Sequence, residues 1–149
     1  MPAFTGRDVL IEFAIAKEDA SYAGLSWSTL GMMRDKGMDV SWDTVDATAD
    51  DSPQFTKENL VTFKMVEFSG SGVSRTEALH NQNTLKAHVY NPPVDTDYQP
   101  KIWIRQTGPD GVTYGPFIVN KWSDARPHAD VGTWDITAMS NGAVTFVAA

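Results

Sequence analysis

Residues 38–72, MDVSWDTVDATADDSPQFTKENLVTFKMVEFSGSG, decide the fold. The stretch opens on an alternating run, with Met38, Val40, Trp42 and Thr44 on one face and Asp39, Ser41 and Asp43 on the other. That alternation predicts a half-buried strand over 38–44. It closes on residues 60–68, a β-rich run with apolar residues on both faces, ended by Gly70 and Gly72. Between the two lies the polar connection 45–59, with Asp46, Asp50, Asp51 and Pro53 and one apolar aromatic, Phe55. Hairpin loops usually need about two to five residues, and longer ones tend to be functional or unordered. Two strands joined by so long a loop are the anomaly that the rest of the chain has to explain.

Outward from this pair, the chain reads as strands and turns. Residues 1–5 form a free arm, and residues 8–16, with VLIEFAIA, a mostly buried strand. Residues 17–24 are a loop, 25–29 a short strand, and MMRDK between Gly31 and Gly37 an irregular connection. After Gly72 the pattern changes. Ser74 and Glu77 have capping-box spacing, Ala78, Leu79, Leu85 and Val89 follow, and Asn91-Pro92-Pro93 ends the segment. These signals predict one substantial helix over residues 75–87, within a helical region 74–88. Gly108-Pro109-Asp110-Gly111 predicts a turn between strands at about 102–105 and 112–121. Asn141-Gly142 between two alternating runs predicts a second hairpin, joining 131–139 to 143–147. Seven or eight strands with one helix make a single, mostly β domain over 1–149: a sandwich or barrel of antiparallel sheets with a flanking α-helix and a long β-hairpin loop.

Composition narrows the function. A chain of 149 residues can bury a real core. Its net charge of −7, with no basic run, argues against a duplex-binding surface. With no cysteine there are no disulfides, thiolate metal sites or cysteine nucleophiles. The N-terminus, interrupted by Arg7, Asp8 and Glu12, does not read as a signal peptide, and no run is long enough for a membrane helix.

Candidate chemistry is sparse. His80 and His88 stand too far apart along the predicted helix to share a metal, and with His128 they read as surface or capping residues. Gly70-Ser71-Gly72 lacks the Gly-Lys-Thr ending of a phosphate loop. Asp43, Asp46, Asp50 and Asp51 cluster, but in a polar loop without an apolar pocket to raise a carboxyl pKa, and without calcium-loop spacing. They read as a solvated acidic loop, ahead of a hydrolase pair. Five tryptophans leave room for a sugar-stacking β-sandwich. Trp42 falls on an apolar face and reads as core; Trp103 and Trp134 fall opposite theirs and could line an interface.

Read in order, several local features resemble the major tail tube proteins of long-tailed bacteriophages. They are Trp27-Ser28-Thr29-Leu30; Asp46-Ala47-Thr48 with Ser52 and Phe55; VEFSGSG at 66–72 leading to a helix; Tyr114-Gly115-Pro116-Phe117-Ile118-Val119; and Asp130-Val131 with Trp134-Asp135-Ile136, followed by Ser140-Asn141-Gly142-Ala143-Val144-Thr145-Phe146. The resemblance covers the chain from about residue 25 onward. It implies two packed sheets with a flanking helix, a fold shared with contractile-tail and type VI secretion tube proteins. It also implies a structural, non-enzymatic virion protein without cofactors, forming six-membered rings stacked into a hollow tube for DNA delivery. Its implied partners are further copies of itself, a tape measure protein, tail tip or initiator and tail terminator proteins, and genomic DNA passing without specific binding. No membrane is implied; the implied location is the virion tail, after synthesis in the host cytoplasm. Under this reading the long loop, with Asp46, Thr48, Asp50, Asp51, Ser52 and Phe55, contacts the next ring or a neighbouring subunit. Leu60, Thr62, Lys64, Val66 and Phe68 are then expected on an inter-subunit sheet. A tube protein of a secretion or contractile system and a carbohydrate-binding β-sandwich are the alternatives.

Overall fold

The computed structural model describes residues 3, 5–31, 33–49 and 56–149. Eight strands form one antiparallel sheet: β1 (Leu10–Ala14), β2 (Ser28–Thr29), β3 (Met33–Asp46), β4 (Asn59–Val73), β5 (Lys101–Gly108), β6 (Gly111–Ala125), β7 (Thr133–Ser140) and β8 (Thr145–Ala148). The order across the sheet is β2-β1-β5-β6-β7-β4-β3, with β8 also on β6. The mostly β expectation holds, but the layers are halves of one hydrogen-bonded sheet curled around a common core. Ile11 and Phe13 of β1, Val66 and Phe68 of β4, and Trp134 and Ile136 of β7 all point into it. The sheet does not close into a barrel. Its two sides approach where the Lys36 ammonium on edge strand β3 donates to the carbonyls of Gly6 (2.9 Å) and Val9, just ahead of β1.

β3 and β4 form the longest hairpin. Their register runs from Met33 opposite Gly72 to Asp46 opposite Asn59, with irregularities between Met33 and Asp35 and between Trp42 and Thr44. β3 therefore begins at Met33 and absorbs the stretch expected to be irregular. Gly37 allows this, because a Cβ there would stand 3.0 Å from the Ser69 hydroxyl. The β5–β6 turn falls at Pro109–Asp110, as its Gly-Pro-Asp-Gly sequence predicts, with Gly108 opposite Gly111.

Two local expectations are corrected. Asn141-Gly142 makes no hairpin: β7 and β8 do not pair with each other but lie in succession along the same edge of β6. Pro116 of β6 has no N–H to give to this edge, although its carbonyl accepts the Asn141 N–H at 2.9 Å. The chain steps out there, and Gly142 (φ 150°) passes where a Cβ would meet Pro116 Cγ at 2.7 Å.

The helix, α1, spans Gln82–Tyr90 rather than 75–87. Ser74 and Glu77 form no capping box; a 3-10 turn at Ala78–His80 and a left-handed Asn81 (φ 57°) precede α1. The competing partner is Gln82, 5% exposed. Its carboxamide accepts from the Arg75 N–H (2.9 Å) and donates to the carbonyls of Gly31 and Val73 (3.0 Å each). Those three bonds hold residues 74–77 out of the helix and tie α1 to the sheet. His88 is also buried, its Nε2 3.0 Å from the Lys101 carbonyl, and is not the surface residue expected. Burial pushes its pKa below the ordinary imidazole value, against the pull of that carbonyl. Trp103 and Trp134 are core residues, whose indole N–H groups donate to the carbonyls of Lys17 (2.7 Å) and Val73 (3.3 Å).

Candidate assembly surface

The outer face of the sheet has two unlike halves. Over β1, β5 and the start of β6, residues 15–27 fold back as a cover. Arg105 holds it in place. Its guanidinium donates to Glu12 Oε1 (2.9 and 3.1 Å) and to the Tyr22 hydroxyl (3.3 Å), and lies 4.4 Å from the Trp27 ring centre. Tyr22 also stacks on Tyr114 at 4.0 Å. Over β3, β4, β7 and the end of β6 the described residues provide no such cover. The outward positions, fixed by the register, include Asp35, Gly37 and Asp39, then Glu67, Ser69 and Ser71, then Asp135, Thr137 and Met139, then Lys121 and Ser123. At these described positions the bare half carries four carboxylates against one ammonium and no aromatic side chain.

Beyond the end of β7, β3 and β4 continue alone as a two-stranded ribbon. β7 pairs with β4 only from Glu67 onward, and the Ser140 hydroxyl accepts the Val66 N–H (3.0 Å) where that pairing ends. Short of this point, β4 has no partner on its second edge among the described residues. The ribbon is apolar on both faces: Val40, Trp42, Val45, Leu60, Val61, Phe63 and Met65 are all exposed, Phe63 at 76%. An isolated two-stranded ribbon is marginal in water, and an apolar patch of this extent marks an interaction surface. Lys64 ties the ribbon's base to the body, donating to the Val144 carbonyl (3.1 Å) from 5.9 Å off the Trp42 ring centre.

The ladder continues past the strands into the loop. Ala47 N–H donates to the Glu58 carbonyl (2.9 Å), and the Thr48 hydroxyl accepts from Glu58 N–H (2.7 Å) and lies 3.2 Å from its carbonyl. The Asp46 carboxylate accepts the Thr48 N–H (2.9 Å), and the Thr48 hydroxyl and then its N–H hold the Asp46 pKa below the usual aspartate value. Of the loop residues singled out in the sequence, Asp46 and Thr48 sit in this neck; Asp50, Asp51, Ser52 and Phe55 lie outside the described residues.

Of the residues expected on an inter-subunit sheet, Leu60, Thr62 and Lys64 are exposed on the ribbon, whereas Val66 and Phe68 are each 1% exposed in the core. The irregularity opposite Asp43 breaks the period of two along β4, so a single face cannot be followed from 60 to 68. Val45, Val61, Phe63 and Met65 were not singled out. Their signal, apolar residues on both faces of one run, is present in the sequence. Trp42, read as core, is half-exposed. Among the described residues no three His, Asp or Glu side chains gather as metal ligands, and no helix is long and apolar enough to cross a membrane.

A family model described as phage tail tube protein matches residues 3–146. No curated protein matches the sequence. Among solved structures, the chain is similar to the tail of an empty gene transfer agent particle with C6 symmetry, at 21% identity and a TM-score of 0.73, over 97% of this chain and 99% of that one. It is similar to the SPP1 tail tube at 12% identity and a TM-score of 0.65, over 99% and 80%. It is also similar to a chain of the extended sheath–tube complex of an extracellular contractile injection system, at 10% identity and 0.63, over 99% and 93%. At these identities the likeness concerns the fold.

Proposed function

This chain belongs to the phage tail tube protein family, and we propose that its subunits close into six-membered rings that stack into the hollow tube through which a phage genome passes. The observation that carries this reading is the pairing of a bare polar sheet face with an apolar ribbon. A monomer gains nothing from leaving Phe63 and its neighbours in water, whereas a ring buries them against the next subunit. The C6 symmetry of the similar gene transfer agent tail supports six as the number.

The bare half-face lines the channel in this reading. Asp35, Asp39, Glu67 and Asp135 repel phosphates, Lys121 is the one cation set among them, and no aromatic ring offers a base a stacking surface. DNA then slides without binding. The role is structural and no residue is assigned to catalysis. The partners are further copies of the chain, a tape measure protein within the tube, and tip or initiator and terminator proteins at its ends. The protein works in the virion tail after synthesis in the host cytoplasm.

Negative-stain microscopy of the purified subunit over rising concentration, alone and with the tail initiator, tests the proposal. Rings and hollow tubes are the expected result. A subunit that stays monomeric at every concentration, with the initiator present, overturns it.

A further inference from the structure

At the far end of β4 from the ribbon, the chain builds a basic recess of about 270 Å³. It is lined by Arg75 from the segment after β4, Lys86 from α1, and Trp122, Asp124 and Arg126 from the end of β6. The floor is rigid: Trp122 stacks nearly parallel on the buried Trp134, with centroids 5.2 Å apart and planes at 5°. Asp124 is the only carboxylate among the described residues that line the recess. Burial alone would raise its pKa, but Lys86 (2.8 Å) and the Trp122 indole N–H (3.3 Å) outweigh burial and hold it below the ordinary value. Arg126 is only 3.9 Å from the same carboxylate and largely exposed, and Arg75 has no ion-pair partner among the described residues. Three cations against one anion, in a chain of net charge −7, leave this recess short of negative charge.

The opposite end of the same strand has the complementary excess. Among the described residues there, Asp43, Asp46 and Glu58 stand against Lys57 alone. β4 has 15 residues, which spans about 45–50 Å at the usual rise. The acidic end and the basic recess therefore face opposite ways along one axis. A contact between the two cannot form within a monomer. Formed between copies, it is head-to-tail, and repeated it extends without closing.

We propose that the Arg75–Lys86–Arg126 recess is the receptor for the acidic ribbon end of a second copy of this chain, one layer along the stack. The proposal rests on the tube reading and deepens it, giving the stacking contact its two halves and its polarity. The ribbon's apolar residues serve neighbours at its sides, and the charged end sets the register between layers. Charge complementarity of this kind governs specificity and association rate more than raw affinity.

Two measurements test it. In the first, a peptide of residues 43–60 is titrated into the soluble subunit, with tryptophan fluorescence reporting on Trp122. The expected result is saturable, salt-sensitive binding that weakens about tenfold or more in the Arg75→Glu/Arg126→Glu variant. No binding, or equal binding by the variant, overturns the proposal, and so does displacement of the peptide by a short DNA oligonucleotide at equal concentration. In the second, assembly is imaged. Arg75→Glu/Arg126→Glu is expected to give rings that do not stack, and adding Asp43→Lys/Glu58→Lys in the same chain is expected to restore tubes. Tubes of ordinary length from the first variant overturn the proposal. A parent subunit that binds the peptide in this charge-dependent way yet never assembles refutes the tube and leaves the receptor.

Discussion

Replacing Phe63 by serine separates assembly from folding. Phe63 sits on the ribbon at 76% exposure. A buried phenylalanine covers about 150–250 Å², so about 150 Å² of this ring is still open to a neighbouring subunit. At about 25 cal/mol per Å² that area contributes about 3–4 kcal/mol when a ring forms. Since each 1.4 kcal/mol is about tenfold, the expected rise in the critical concentration for assembly is several hundredfold, roughly. The isolated subunit has little to lose, because an exposed substitution of this kind stays within about 0.5 kcal/mol.

The assay is therefore double. Pelleting or light scattering over a concentration series gives the critical concentration, and thermal unfolding below it gives the subunit's own stability. Phe68→Ala is the opposing control. At 1% exposure it removes core packing and costs about 3–5 kcal/mol of folding stability. Unchanged assembly by Phe63→Ser, or a fall in subunit stability as large as that of Phe68→Ala, would refute the assignment of the ribbon as interface.

Two further predictions concern the helix and the loop. His88 is buried and its folded-state pKa lies below the unfolded value near 6.5, so the unfolded chain takes up the proton first as pH falls. Its contribution to stability is then full above about pH 6.5 and is lost on acidification towards the folded pKa; urea midpoints between about pH 5 and 7.5 should fall with pH in the parent and flatten in His88→Gln, and identical slopes would remove His88 as the cause. Deleting residues 48–56 leaves Ala47, Lys57 and Glu58 between Asp46 and Asn59, a length a hairpin closes easily; the product is expected to fold and not to polymerise, and normal tubes from it would dismiss the loop as an assembly element.

The sequence made the hairpins legible where the signal was local and uncontested. The Gly-Pro-Asp-Gly turn and the strand over 38–44 survive in the structure, although Val40 and Trp42, expected on a buried face, are exposed on the ribbon. Misreadings arose where a distant partner took over a local signal. The Ser74–Glu77 spacing promised a cap, but Gln82 claimed the Arg75 N–H and linked Val73 to Gly31 across the fold. Asn141-Gly142 promised a hairpin, but the missing N–H of Pro116, twenty-odd residues earlier, turned it into a step along one edge. Trp103 and Trp134 were assigned by the parity of their own strands. Trp103 is buried by the covering residues 15–27, which its own strand does not reveal. Trp134 is the exception: it shares its face with Ile136 and Ala138, all three in the core, so the alternation of β7 already points it inward.

An apolar ribbon with an open edge also invites wrong pairing before assembly. Three features of the ribbon oppose that. Asp39, Asp43, Asp46 and Glu58 place like charges along and at the end of the ribbon, so two ribbons approaching side by side in the same sense repel. The irregularity between Trp42 and Thr44 disrupts the ladder opposite Phe63, so a straight foreign strand does not match it. Lys64, anchored on the Val144 carbonyl, fixes the ribbon's departure angle from the body. The ribbon is thus unsuited to generic edge pairing, and a partner has to offer a shaped apolar surface and, at its tip, positive charge. Another copy of this chain, displaced along the strand axis, offers that charge in the Arg75–Lys86–Arg126 recess.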